Sequence, residues 1–147
     1  MATTARTSRF MIISGLLALA TVGTYWLFLG RDQTMQLDPA TGNYGGPWTT
    51  GQVAGCVLTM LVLLIGAVCA GLRPVLAAAV MTLAFVVPWT IQAAATDETG
   101  MYGVGLMLIL VGMGFGTWLV ALLTAVVARA WRPERRRGAH PGPDGIA

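Results

Sequence analysis

Four long apolar runs, separated by short polar breaks, organise the chain, at about residues 10–29, 51–70, 74–95 and 101–128. Each has about 20 residues or more, the length a helix needs to cross a hydrocarbon core about 30 Å thick. The predicted fold class is an all-α integral membrane protein, a four-transmembrane-helix bundle occupying residues 10–129. The breaks carry the chemistry that stops helices. Residues 30–50 hold Asp38-Pro39, Gly42-Asn43 and Gly45-Gly46-Pro47, a concentration of turn formers that predicts a long loop.

The second and third runs are joined by Gly71-Leu72-Arg73, which predicts a tight helical hairpin. Gly71 is free to take a left-handed cap, and Pro74 suits the first turn of the next helix. Thr99 is the expected N-cap of the last helix. That last run, at about 28 residues, exceeds the bilayer thickness, so tilt or a projecting end is expected. The first run follows Arg6 and Arg9, and its Ala18-Leu19-Ala20 imitates a signal-peptide cleavage site. Apolar residues continue past it through Val22, Tyr25, Trp26 and Leu29, and the run is read as an uncleaved span.

Charge then sets the expected orientation. Only 10% of the 147 residues are charged against 56% hydrophobic, and none of the charges falls inside a run. Arg6, Arg9, Arg73, Arg129, Arg132, Arg135, Arg136 and Arg137 lie on one side of the predicted topology, with Arg31 alone on the other. Short cytoplasmic segments retain positive charge, so both ends are expected inside. Residues 1–9 form the cytoplasmic N-terminus, 30–50 the outer loop, and 130–147 a basic, disordered cytoplasmic tail. Tyr25, Trp26, Trp48, Trp89 and Tyr102 would form an outer aromatic belt, with Trp131 at the inner interface and Trp118 packed deeper. All nine basic residues are Arg, alongside abundant Ala, Gly and Val, which resembles the usage of high-GC bacteria and points to a bacterial cytoplasmic membrane. Arg129, Arg132, Arg135, Arg136 and Arg137 form a juxtamembrane cluster suited to anionic lipid. The net charge of +3 is concentrated there and builds no folded basic face for nucleic acid.

Candidate sites are few. Gly105, Gly112 and Gly116 fall within about 40° of one stripe on the last helix, and Gly112 to Gly116 has G-x-x-x-G spacing. Gly51 and Gly55 repeat that spacing at the start of the second helix. Small residues let helix backbones approach, either within the bundle or at a seam with another chain. Pro88 removes a backbone hydrogen bond from the third helix, and Gln52, Trp89, Thr90 and Gln92 fall at similar depth as a candidate outer polar cluster. Tyr44 and Trp48, flanking Gly45-Gly46-Pro47, make the loop a candidate partner-binding element.

Other chemistries find no footing. Cys56 and Cys69 are 13 residues apart, which on a helix is about 20 Å, too far to bridge; both are expected to be buried and inert. The one histidine, His140, lies in the tail. The runs contain no Asp, Glu or His for a coupling proton, and no metal, haem or other cofactor ligand set is evident. The expected function is a non-enzymatic accessory, assembly or scaffold subunit that packs through glycine-rich helices, with membrane lipids and other transmembrane helices as partners. The alternative is a small oligomeric channel or carrier without an intramembrane titratable residue.

Overall fold

The computed structural model describes residues 2–31, 42, 48–97 and 100–131, with side chains from Thr7 onward. The described residues form four α-helices: α1 (Ala2–Phe28), α2 (Thr50–Cys69), α3 (Pro74–Thr96) and α4 (Tyr102–Ala130). All four are long and apolar enough to cross a membrane, α1 over Thr7–Phe28. This is the pattern of a multi-pass membrane protein. Helix α1 starts at Ala2, well before the apolar run at Phe10. Residues 2–9 contain no Gly or Pro, and a helix stops at a breaker or a cap rather than where hydropathy falls.

The chain runs up and down. Leu29, Trp48, Asp97 and Tyr102 lie at one end of the bundle and Cys69, Arg73 and Trp131 at the other. Helix α1 packs on α2 and α3, while α4 packs mainly on α3 and also on α2; α1 and α4 do not meet. Each inner face follows helical spacing. Leu17, Thr21, Thr24 and Tyr25 are buried on α1, Cys56, Met60, Leu64, Ala67 and Val68 on α2, and Ala77, Ala78, Met81, Thr82 and Val86 on α3. On α4 only Ala121 is fully buried, and the face that meets α3 and α2 is otherwise half-buried.

Local chemistry fixes the helix ends. Thr49 and Gln52 form a capping box at α2: the Gln52 backbone N–H donates to Thr49 Oγ1 at 3.3 Å, and the Thr49 N–H donates to Gln52 Oε1 at 2.8 Å. At the other end of α2, Gly71 takes φ +102°. The Leu72 N–H donates to the Ala67 carbonyl and the Gly71 N–H to the Val68 carbonyl, each at 3.0 Å. These are the paired bonds of a Schellman cap, with buried Leu72 against buried Ala67 as its hydrophobic contact.

For α4 the structure corrects the expected cap. The N-cap position falls on Met101, which makes no side-chain cap bond. The Asp97 carboxylate instead accepts from the Tyr102 N–H at 2.5 Å; Thr99 lies outside the described residues. A carboxylate also complements the positive end of the helix dipole better than a hydroxyl.

Gly71→Ala should lower stability in detergent by about 1–2 kcal/mol, because an L side chain pays a steric cost at positive φ. Gly66→Ala is the matched control. Gly66 lies inside α2 with nothing within 4 Å of an added Cβ, and alanine there should raise stability by about 0.5–1 kcal/mol. Equal unfolding midpoints for the two variants would remove the cap from the account.

Candidate functional site

The glycines expected to act together divide into two groups. A Cβ built on Gly55 would stand 2.7 Å from Phe28 Cε1 of α1, and one on Gly105 would stand 2.9 Å from Trp89 Cη2 of α3. At these two positions small size is used inside the chain. At Gly51, Gly112 and Gly116 nothing lies within 4 Å of the built Cβ. The α4 stripe therefore meets a neighbour only at its Gly105 end. Its G-x-x-x-G step faces open space, flanked by the exposed side chains of Leu108, Val111 and Leu119.

The expected polar cluster is not assembled. Gln52 is engaged in the α2 capping box, and Trp89 packs over Gly105. The Thr90 hydroxyl donates to the Val86 carbonyl at 2.8 Å, within its own helix and not to the Ala84 carbonyl that Pro88 frees. Gln92 has a different partner: its Oε1 accepts from the hydroxyl of Tyr25 on α1.

Tyr25 is thus not a belt residue. It is fully buried, with its ring edge-on to Phe85 at a centroid distance of 5.4 Å and an interplanar angle of 90°. Its position was legible. Ser14, Thr21, Thr24 and Tyr25 are the hydroxyl-bearing residues of the first run and fall within about 100° on a helical wheel. Hydroxyl groups in apolar helices turn toward other helices, not toward lipid.

A second interhelical polar contact sits deeper. Thr82 Oγ1 of α3 and Thr117 Oγ1 of α4 are 3.2 Å apart. Thr117 gives its proton to the Met113 carbonyl at 2.7 Å, so Thr82 is the donor across the interface. Thr21 and Thr24 likewise donate to the Leu17 and Ala20 carbonyls at 2.8 Å. No buried side-chain N or O among the described residues lacks a hydrogen-bond partner. Such closure is what lets hydroxyls occupy an apolar interior without losing stability.

Two further expectations are corrected. Cys56 is buried, but Cys69 is exposed. Thirteen residues turn a helix through about 220°, so both thiols cannot share the inner face. Trp118 is 40% exposed on α4 and lies beside Phe115, with ring centroids 6.0 Å apart, instead of packing inside. Trp48 is half-buried, and its Nε1 donates to the Leu29 carbonyl at 3.0 Å, tying the loop to the end of α1. Arg129 is in the last turn of α4. Tyr44, Arg132, Arg135, Arg136 and Arg137 lie outside the described residues.

An apolar cleft of about 320 Å³ lies between α2 and α4. Buried Cys56, Met60, Leu64 and Met81 form its floor, and exposed Val57, Leu61 and Gly116 form its lips. Leu29 and Val53 mark its mouth at the Trp48 end. Because α4 leans chiefly on α3, the α2–α4 seam is left partly unfilled.

No family model matches the chain. No curated protein matches it either, and no solved structure does.

Proposed function

We propose that this protein is a non-enzymatic membrane subunit, of accessory, assembly or scaffold type, that docks another transmembrane helix on the open glycine step of α4. The observation that carries this reading is the empty space over Gly112 and Gly116. Association inside a bilayer gains nothing from hiding apolar surface, since lipid tails are as apolar as the helix. It depends on close backbone approach, and small residues left unused by the chain's own packing are where such approach remains available. The arginine distribution supports a topology with both termini in the cytoplasm, and the Arg-, Ala-, Gly- and Val-rich composition supports a bacterial source. Arg129 and the arginines that follow would rest against anionic headgroups.

Gly112→Leu tests the proposal. A Cβ there has nothing within 4 Å, so the monomer should keep its folded yield and thermal stability within about 0.5 kcal/mol of the parent. Recovery of the partner, or of a homo-oligomer, from native membranes in mild detergent should fall about tenfold, the effect of losing about 1.4 kcal/mol of association energy. Unchanged recovery with an unchanged monomer would sink the docking role. A closed homo-oligomer that passes solute in liposomes would replace it with the channel reading.

A further inference from the structure

The cleft between α2 and α4 is of a size that decides between occupants. From Val53 to Leu64 helix α2 rises about 16 Å at 1.5 Å per residue. Counting all the space between its walls, about 820 Å³, the cleft has over that length a mean cross-section of at most about 50 Å². An α-helix about 10 Å wide needs about 80 Å². A helix from a partner or a second copy is therefore too thick to enter, whereas a single extended hydrocarbon chain is not. The length agrees as well. One leaflet is half of a core about 30 Å thick, and the cleft runs from the Trp48 end for about that distance before closing over Leu64.

The lining excludes a polar group from the interior. Apolar atoms form nearly all of it, and the Thr117 hydroxyl on its wall is committed to the Met113 carbonyl at 2.7 Å. Any headgroup has to sit at the mouth. There Leu29 is followed two residues later by Arg31, which is exposed, and the Trp48 indole holds the α1 terminus in place through the Leu29 carbonyl. Among the described residues Arg31 is the one arginine at this end of the bundle. A guanidinium presents paired N–H donors in a fixed fork that matches phosphate oxygens.

We propose that the α2–α4 cleft seats one acyl chain of a phospholipid whose phosphate pairs with Arg31. Protein surrounds this chain on three sides, along α2, α3 and α4, where an ordinary boundary lipid meets protein on one. Its exchange is correspondingly slower. Gly112 does not line the cleft, whereas Gly116, the other half of the open step, stands at its lip, so the two surfaces adjoin.

Purified full-length protein, washed free of lipid in detergent and titrated with phosphatidylglycerol, is followed by native mass spectrometry. One phosphatidylglycerol per chain should persist at collision energies that strip additional lipids. Val57→Trp, which places an indole across the lip, should lower that occupancy about tenfold, equivalent to about 1.4 kcal/mol of lost contact energy. Arg31→Gln should lower it less and make phosphatidylglycerol and phosphatidylcholine bind alike. Gly112→Leu should leave it unchanged. If Val57→Trp does not elute as a folded species, Val57→Phe supplies the same comparison with a smaller ring. Equal retention by the parent and a folded Val57 variant overturns the proposal. So does a second protein chain in place of the lipid adduct, lost in the same variant.

Discussion

Tyr25→Ala is expected to destabilise the bundle by about 3–5 kcal/mol, the range for removing a buried aromatic ring and leaving a cavity. The ring is fully buried where α1 crosses α3, edge-on to Phe85, and its hydroxyl donates to Gln92. Two contributions are lost together, and Tyr25→Phe separates them. Phenylalanine retains the packing and removes only the hydroxyl, so its cost should match a membrane-buried side-chain hydrogen bond, about 0.6 kcal/mol on average and about 1.7 at most. Gln92→Leu should cost a similar amount, and the double variant Tyr25→Phe with Gln92→Leu should cost less than the sum of the two singles. Reversible unfolding in mixed micelles gives all four numbers. A phenylalanine variant as unstable as the alanine one would mean that the hydroxyl, not the ring, holds α1 to α3. Strict additivity of the two singles would mean that the Tyr25–Gln92 bond contributes nothing.

The Tyr25–Gln92 contact also shows where sequence reading succeeds and where it stops. The four helices follow from four uninterrupted apolar runs, because length and hydropathy are properties of each segment alone. Gly71 announced its left-handed cap and Pro74 its first turn for the same local reason. The α2 capping box was equally legible, since Thr49-Thr50-Gly51-Gln52 is a T-x-x-Q sequence at the head of an apolar run. It was the competing assignment of Gln52 to a polar cluster that hid it. The pairing of faces was less accessible. In a helix that is apolar all round, hydropathy does not mark an inner side, and α4 could present any stripe to α3. Only the few hydroxyls broke that degeneracy, Thr21, Thr24 and Tyr25 on α1, Thr82 on α3 and Thr117 on α4, and all of them turned inward. The glycines did not behave as one class either. Spacing alone groups Gly105, Gly112 and Gly116, whereas of the three only Gly105 lies under a neighbouring side chain.

That division yields the second large effect. Gly55→Leu should destabilise the monomer by about 1–3 kcal/mol, the usual cost of forcing extra carbon into a packed interface. The built Cβ already falls 2.7 Å from Phe28 Cε1 and 3.3 Å from both Cδ1 and Cζ, so the ring has to turn away or α1 has to move off α2. Phe28 is the last residue of α1, one step from the Leu29 carbonyl that anchors the Trp48 indole, and displacement there loosens the loop attachment too. Gly55→Ala should cost less, because a half-buried ring at a helix end has some room to shift. The informative comparison is with Gly112→Leu. The two substitutions add the same side chain to G-x-x-x-G glycines in transmembrane helices, yet one fills a contact made within the chain and the other a surface left open. Gly55→Leu should reduce folded yield and melting temperature before any partner is considered, while Gly112→Leu should spare both and act only on assembly. If Gly112→Leu melts as low as Gly55→Leu, α4 packs in the membrane on the face that this structure leaves empty, and the open step is part of the chain's own core.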